Sequence, residues 1–170
     1  MSAKYTILPP GPTDLIIADR DTFITAAQQH WPGCRTFLAS HGPHDSDADV
    51  FPIFDGEELE VCHFPDNQTI GVDALSGTTA VAEVAAWVRS LNPDPNLALW
   101  LTDDFFQNHV VLTPGITPEQ INTSWVNHAE HNPMTEYPQY FTDAPGVFTP
   151  QPQPATKTGR LPHWISGRGR

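Results

Sequence analysis

The sequence predicts an α+β domain, with an antiparallel sheet of about five to six strands and about three helices packed mainly on one face. Two observations indicate this class. Segments with the period-2 pattern of strands follow one another across short turns, which favours antiparallel pairing. Between them, apolar residues recur at helical spacing, so each helix has a face that can cover the sheet. The chain has 170 residues and 39% hydrophobic content, enough for a single core.

The first helix is indicated by its capping residues. A proline-rich lead ends at Pro12, and residues 14–19 form a short strand or the start of the helix. Asp19 or Asp21 can cap a helix that runs to about His30. The Trp-Pro-Gly sequence after His30 ends it, because proline cannot continue the hydrogen-bond ladder and glycine accepts left-handed backbone angles.

A meander of strands follows. Residues 34–39 have the pattern of a strand, and residues 41–49 form the longest polar loop in the body of the chain. Three further strands span residues 50–54, 59–64 and 69–75. The Asp-Gly and Pro-Asp-Asn sequences between them supply the turns of an antiparallel meander.

The second helix has signals at both ends. Residues 76–79 offer serine and threonine caps, and the Asn-Pro-Asp-Pro sequence that begins at Asn92 stops the helix. Its apolar residues fall on one face, as expected for a helix that covers a sheet. They are Val81, Val84, Ala85, Val88 and Leu91.

A hairpin and a third helix come next. Residues 97–101 are apolar on both faces, which indicates a central strand, and residues 109–113 return beside it. Thr117 and Gln120 have the spacing of a capping box, which fixes the start of the third helix.

The formal net charge is −12, and the positive residues are concentrated at the C-terminus. Four of the eight lie in the last fourteen residues, which hold no acid, so removing them from the total leaves −16 on residues 1–156. An acidic body repels nucleic acid and anionic lipid and attracts basic surfaces. We therefore expect a basic protein partner, no nucleic acid and no membrane, although simple solubility also explains the charge.

The cysteines and the N-terminus indicate the compartment. Cys34 and Cys62 fit no zinc-ligand spacing, so we expect two reduced, partly buried thiols. The N-terminus has no apolar run typical of a signal peptide, and no segment approaches the ~20 apolar residues that a membrane span needs. We expect a cytoplasmic protein.

The loop 41–49 is the most metal-like cluster, because two histidines and three aspartates fall within it. A calcium loop is not matched, since Val50 stands where such loops need glycine and Gly56 stands where they need an acid. We predict no metal site there and interpret the loop as a solvated acidic surface for the partner. Its residues are His41, His44, Asp45, Asp47 and Asp49.

Other candidate groups have structural interpretations. His128 and His131, three residues apart near a helix end, have the spacing of a metal-binding pair, but we favour an interaction with the negative pole of the helix dipole. Glu57, Glu58 and Glu60 flank a turn and are typical of a charged strand edge that discourages aggregation. The chain holds no serine-nucleophile motif and no glycine-rich phosphate loop, so we predict no catalytic residues and no cofactor.

The composition of the hairpin tip is not explained by the requirements of a strand or a turn. The tip consists of Asp103, Asp104, Phe105 and Phe106. Because neighbouring side chains in extended structure point to opposite faces, we expect one phenylalanine to be exposed. The alternative is a turn that curls and buries both rings. An exposed aromatic ring among acids is typical of a hot spot for a basic protein, so these four residues and the three aspartates of the loop are the predicted partner-binding residues.

The sequence predicts two regions. Residues 1–132 form the α+β globular domain, and residues 133–170 form a proline-rich extended segment with a basic end. Aromatic side chains at Tyr137, Tyr140, Phe141 and Phe148 can attach this segment to the domain.

In size, acidity, lack of catalytic residues and helix-and-hairpin layout, residues 14–131 resemble the small immunity proteins that neutralise polymorphic toxins in bacteria. The resemblance implies a non-catalytic inhibitor whose acidic and aromatic side chains occlude the basic active-site cleft of a toxin. A second hypothesis is a structural or accessory subunit of a larger assembly, anchored by the proline-rich tail. A third is an enzyme whose metal binds in the loop 41–49.

Overall fold

A computed structural model describes residues 3–38, 45–74 and 78–141. Within these ranges the chain forms ten strands and five helices. The strands are β1 (Ala3–Leu8), β2 (Arg35–Leu38), β3 (Ala48–Phe51), β4 (Ile53–Phe54), β5 (Glu57–Glu58), β6 (Glu60–His63), β7 (Ile70–Ala74), β8 (Leu99–Asp103), β9 (Asn108–Leu112) and β10 (Val126–Asn127). The helices are α1 (Arg20–His30), α2 (Thr78–Leu91), α3 (Pro118–Thr123), α4 (Pro133–Glu136) and α5 (Pro138–Phe141).

Eight strands form one antiparallel sheet in the order β10-β9-β8-β1-β7-β6-β3-β2, and β4 pairs with β5 in a separate hairpin. The α+β class is therefore confirmed. The sheet has more strands than the five to six expected, because β10 is only two residues long and β1 lies in the supposed lead. Among the described residues, no helix is both long and apolar enough to cross a bilayer.

The N-terminal segment is the largest departure from the expected fold. Instead of a lead, it forms β1, which pairs with β7 on one side and β8 on the other. Tyr5 and Ile7 alternate with polar residues, and Ile7 is fully buried. The prolines begin only at Pro9, where the strand has ended and a backbone donor is no longer needed. Residues 14–19, expected to be a short strand or the start of the helix, form no strand and lead directly into α1, with Asp19 as its N-cap.

Helix α1 begins as the capping signal indicates. Asp19 is the N-cap, and its carboxylate accepts a hydrogen bond of 2.8 Å from the backbone of Thr22. The same contact, with burial opposing it, holds the pKa of Asp19 below its usual value. Phe23 and Ala27, four residues apart, are the buried positions of the helix. The helix ends at His30, before the Trp-Pro-Gly sequence.

Helices α1, α2 and α3 lie on one face of the sheet, as expected. Helix α1 contacts β3, α2 contacts β7 and β9, and α3 packs on α2. The capping box of Thr117 and Gln120 is present at the start of α3. The core between these layers contains, among others, Ile7, Val61, Val72, Leu99, Leu101, Val84, Ala85 and Val88.

A buried arginine connects helix α2 to the strands that follow. The Arg89 guanidinium donates to the carbonyl oxygens of Leu112 and Asp94 at 3.0 Å each, and to that of Asn92. Burial lowers its pKa from the usual value. Because buried charges need polar partners, three carbonyls at element ends compensate for the lost water.

The segment after Asn132 packs against the domain. Residues 133–141, predicted as extended, instead form α4 and α5. Tyr137, Tyr140 and Phe141 surround Trp100 of β8 with ring-centre distances of 5.1, 6.0 and 6.2 Å. The aromatic side chains therefore attach this segment to the sheet. The rest of the tail, with its basic end, lies outside the described residues.

Candidate functional site

The face of the sheet opposite helices α1 to α3, here called the open face, carries most of the polar side chains. Residues directly opposite each other in paired antiparallel strands project to the same face. One row of such pairs crosses the sheet from β2 to β9. It runs through Phe37, Asp49, Cys62, Gly71, Thr6, Thr102 and His109.

A hollow of about 240 Å³ lies in the middle of the open face. Gly71 lines it and has no side chain to fill the row between Cys62 and Thr6. A Cβ added at Gly71 would lie 3.4 Å from the Phe64 ring and 3.6 Å from the Cβ of Cys62. The glycine therefore keeps this part of the face open.

The hollow is acidic. Glu60 on β6 and Asp73 on β7 are direct cross-strand partners, and Asp104 reaches the rim from the hairpin tip. Among the described residues that line the hollow, Lys4 is the only cation, and it lies 4.0 Å from Asp73. Burial, followed by the charges of Asp49 and Asp73, raises the pKa of Glu60. The hollow is therefore suited to a positively charged group.

Three potential ligands meet beside this hollow. Single ligand atoms of Asp49, Glu60 and Cys62 all lie within 4.8 Å of one another. Asp49 is 8% exposed, and its Oδ1 is buried without a hydrogen-bond partner among the described residues. Burial and the nearby Asp49 carboxylate hold the pKa of the Cys62 thiol far above its usual range. Both cysteines are free thiols of intermediate exposure, as expected.

The interpretation of Asp49 as part of a solvated loop is wrong. Strand β3 begins at Ala48, two residues before the predicted start, and Ala48 and Val50 are buried in the core. The alternation then turns Asp49 to the open face, where its neighbours shield it from water. The sequence gives a weak signal for this, since a single alternation of three residues is shorter than a usual strand pattern.

The structure does not bring the other predicted loop residues together at one site. Asp45 is exposed. Asp47 accepts a hydrogen bond of 2.6 Å from Nδ1 of the fully buried His63, whose Nε2 lies 3.0 Å from the carbonyl oxygen of Ala18. The buried His63 ring therefore connects the loop carboxylate of Asp47 to the backbone that precedes α1. The predicted His41 and His44 lie outside the described residues.

Asp103 organises the hairpin tip. Its carboxylate accepts hydrogen bonds from the backbone of Gln107 at 2.6 Å and from the backbone and side chain of Asn108 at 3.3 and 2.7 Å. The turn residues Asp104 and Phe105 are exposed, and Phe105 is 79% exposed. One exposed phenylalanine was expected, and the structure exposes both, Phe105 more than Phe106. The alternative of two buried rings is therefore wrong.

Phe106 supports the tip from below and is 45% exposed. It has a φ of 51°, a left-handed conformation that costs a non-glycine residue about 1–3 kcal/mol. Its ring lies parallel to Trp100 at 6.3 Å and edge-on to His128 at 4.6 Å. Its carbonyl oxygen accepts a 2.7 Å hydrogen bond from Nδ1 of His128. These contacts hold the strained residue in place.

Two histidines connect Phe106 to the interior of the sheet. Because Nδ1 of His128 donates to a carbonyl, its Nε2 is the acceptor for Nδ1 of His109, at 2.7 Å. His109 is fully buried, stacks on Trp100 at 4.0 Å, and has no partner for Nε2 within the described ranges. Burial, and then the charge of His128, lower the pKa of His109 to about 4.

The helix-dipole interpretation of His128 and His131 is wrong, because α3 ends at Thr123 and the chain then forms β10. His128 binds the hairpin tip, and Nδ1 of His131 lies 2.9 Å from Glu136. No regular spacing in the sequence connects His128 with His109, so their pairing depends on the tertiary fold.

The three glutamates near the predicted turn have different surroundings. Glu57 and Glu58 belong to the β4–β5 hairpin, and Glu58 forms an exposed 3.0 Å ion pair with Arg35 of the edge strand β2. Glu60 lies on the open face instead. The prediction of a charged strand edge therefore fits Glu58 and does not fit Glu60.

No protein-family model matches the chain, and neither curated proteins nor solved structures give a significant match. No catalytic or binding residue can therefore be carried over from a relative.

Proposed function

We propose that the protein is a non-catalytic binding module that recognises a basic protein partner through the tip of the β8–β9 hairpin. The observation that supports this most is the exposure of Phe105, at 79%, beside the exposed acid Asp104. Aromatic side chains are enriched among residues that dominate binding energy, and an exposed large ring has no role in the protein's own core.

The tip is preorganised for binding. The Asp103 carboxylate bonds to three donors in the turn, and His128 holds the carbonyl of Phe106. The conformational cost of ordering these residues is met during folding, so association does not bear it again. The left-handed backbone at Phe106 is a strained feature of the kind that clusters at functional sites.

Charge complements this anchor. Asp104 belongs to both the tip and the rim of the acidic hollow. A lysine or arginine that lies beside the pocket for Phe105 on the partner would face Asp104, Asp73 and Glu60. The net charge of −12 would also accelerate encounter with a basic surface at low salt.

The specific form that we propose is an immunity-like inhibitor of a toxin. A projecting aromatic residue with acids around it fits a basic active-site cleft, and occlusion of that cleft requires no chemistry from the inhibitor. This matches the resemblance in size and acidity drawn from the sequence. Such an inhibitor would act in the cytoplasm.

The test uses the purified product of the adjacent reading frame as the probe. The full-length protein should bind it, and Phe105→Ala should weaken binding by at least about 2 kcal/mol, the usual threshold for a hot spot. Phe37→Ala is the matched control, because Phe37 is 54% exposed at the edge strand β2. An unchanged affinity for Phe105→Ala would contradict the proposed anchor.

Two further measurements address charge and inhibition. Asp104→Lys should lower the association rate at low salt and have less effect at high salt. Co-expression should protect cells if the neighbouring product is toxic. A neighbour that neither binds the protein nor harms cells would overturn the inhibitor form of the proposal.

A further inference from the structure

The strand register places a thiol and two carboxylates together on the open face. Asp49 of β3 is the direct cross-strand partner of Cys62 on β6. Glu60 precedes Cys62 by two residues on the same strand, so both project to the same face. Their ligand atoms lie within 4.8 Å of one another, although Asp49 and Glu60 are eleven positions apart in the sequence.

The buried carboxylate of Asp49 is the observation that distinguishes this group from an ordinary acidic surface. Asp49 is 8% exposed, and its Oδ1 has no hydrogen-bond partner in the described part of the chain. The carboxylate also has a side-chain hydrogen bond with Cys62. A buried carboxylate oxygen left without a partner is costly, because desolvation removes the hydrogen bonds that water would supply. A ligand that offers positive charge at this point would remove that cost.

We propose that Asp49, Glu60 and Cys62 form a binding site for a divalent transition-metal ion of the zinc class. Thiolate and carboxylate together suit Zn²⁺, whereas Mg²⁺ and Ca²⁺ take oxygen ligands alone. With usual bond lengths, sulfur and oxygen ligands of a tetrahedral zinc ion lie about 3.6 Å apart. The 4.8 Å limit observed here therefore requires only small side-chain movements.

The hollow provides access to this site. Glu60 and Cys62 both line it, and the buried Asp49 lies beside Cys62 on the neighbouring strand. An ion can therefore enter from the open face, and a water molecule or a ligand in the hollow can reach any remaining coordination position. Sites with three protein ligands commonly keep such a position open.

The charges at this point agree with a bound cation, because two carboxylates and a thiol meet there. A divalent ion would stabilise the thiolate and both carboxylates at once.

Cobalt provides a direct probe. The full-length protein, freed of metal with a chelator, is titrated with Co²⁺ alone and then with Zn²⁺ as a competitor. We expect one equivalent of Co²⁺ to bind, with the near-ultraviolet absorption of a thiolate–cobalt bond, and one equivalent of Zn²⁺ to displace it. Absence of stoichiometric binding by both ions would overturn the proposal.

The ligands are tested one at a time. Cys62→Ser should abolish the thiolate–cobalt absorption, and Cys34→Ser should retain it, because Cys34 lies outside the group. Asp49→Asn and Glu60→Gln should each weaken Co²⁺ binding by more than about tenfold, since even groups that only orient ligands contribute about 10–100-fold. Glu60 is partly exposed, so its variant tests the site even if Asp49→Asn disturbs folding.

Further controls separate this site from neighbouring groups. Asp73→Asn removes a carboxylate that lines the hollow outside the triad and should retain the thiolate–cobalt absorption. Phe105→Ala should leave the metal affinity unchanged, because Phe105 belongs neither to the three ligands nor to the lining of the hollow. His41→Ala and His44→Ala should also retain binding. If those histidine variants lose Co²⁺ while Cys62→Ser keeps it, the metal belongs to the loop and the proposed ligands are wrong.

Discussion

The side chains of His109 and His128 are joined by a 2.7 Å hydrogen bond between Nδ1 of the first ring and Nε2 of the second. His109 belongs to β9 inside the sheet, whereas His128 follows β10 and binds the backbone of the hairpin tip. The pair therefore connects the exposed tip to the buried part of the sheet. Burial, and then the nearby His128, favour the neutral form of His109 by lowering its pKa.

The stability of the protein should consequently fall in mild acid. His109 has a pKa of about 4 in the folded protein and about 6.5 when unfolded, so between these values only the unfolded state gains the proton. The contribution is fully present above pH 6.5 and is lost as the pH falls towards 4. The total loss from this group is about 3 kcal/mol.

Urea unfolding at several pH values from 7.5 to 4 measures this loss. Other carboxylates titrate near pH 4, so the free energy of unfolding of the wild type is compared with that of His109→Asn at each pH. Asparagine keeps a donor near the position of Nδ1 but takes up no proton. The difference between the two unfolding free energies should shrink or reverse as the pH falls. If the two free energies instead change in parallel with pH, the proposed role of His109 is wrong.

Asp47 should matter for stability, because it is the carboxylate partner of the buried His63. Replacing it with alanine leaves a buried ring nitrogen without its partner, which costs about 1–3 kcal/mol. Asp14→Ala is the control, since an exposed position usually changes stability by less than about 0.5 kcal/mol. Equal unfolding midpoints for the two variants would show that the contact contributes nothing.

Local signals in the sequence account for the elements that were predicted well. Asp19, Thr117 and Gln120 cap their helices through contacts within four residues, so their effect can be derived from spacing alone. The turns of the meander are similarly local. Strand β1 is not evident from the sequence, because its short alternating pattern is followed directly by prolines.

The candidate sites required information that spacing does not contain. Asp49 meets Cys62 only because β3 pairs with β6 in one register, and a shift of one residue would turn Asp49 into the core. His109 and His128 meet through the pairing of β9 with β10, a strand of two residues. In contrast, the exposed phenylalanine was predictable, because two adjacent bulky residues at a turn cannot both reach the same core.

Arg89 should be among the most sensitive positions in the domain. Substitution by methionine keeps the aliphatic packing but leaves carbonyl oxygens at Leu112, Asn92 and Asp94 without their donor. Each unsatisfied buried group costs about 1–3 kcal/mol, so we expect a loss of at least about 3 kcal/mol. Arg89→Lys should recover only part of it, because a lysine cannot reproduce the planar fork of donors.

Thermal or urea unfolding followed by circular dichroism tests this expectation. Arg20→Met is the matched control, because Arg20 is exposed and pairs only with its neighbour Asp21 in the described structure. If Arg89→Met unfolds at the same midpoint as Arg20→Met, the three carbonyls have found other partners and the proposed role of Arg89 is wrong.

Asp103 should control the shape of the hairpin tip without supplying the contact surface itself. Asp103→Ala removes the acceptor for Gln107 and Asn108, so these amides should exchange with solvent faster than in the wild type. Asp104→Ala removes an equal charge from an exposed position and should leave exchange unchanged. Hydrogen exchange of both variants separates the two roles. If binding depends on a preorganised Phe105, Asp103→Ala should also lower the affinity for the partner, because the tip must then be ordered during association. An unchanged affinity would show that preorganisation is unimportant.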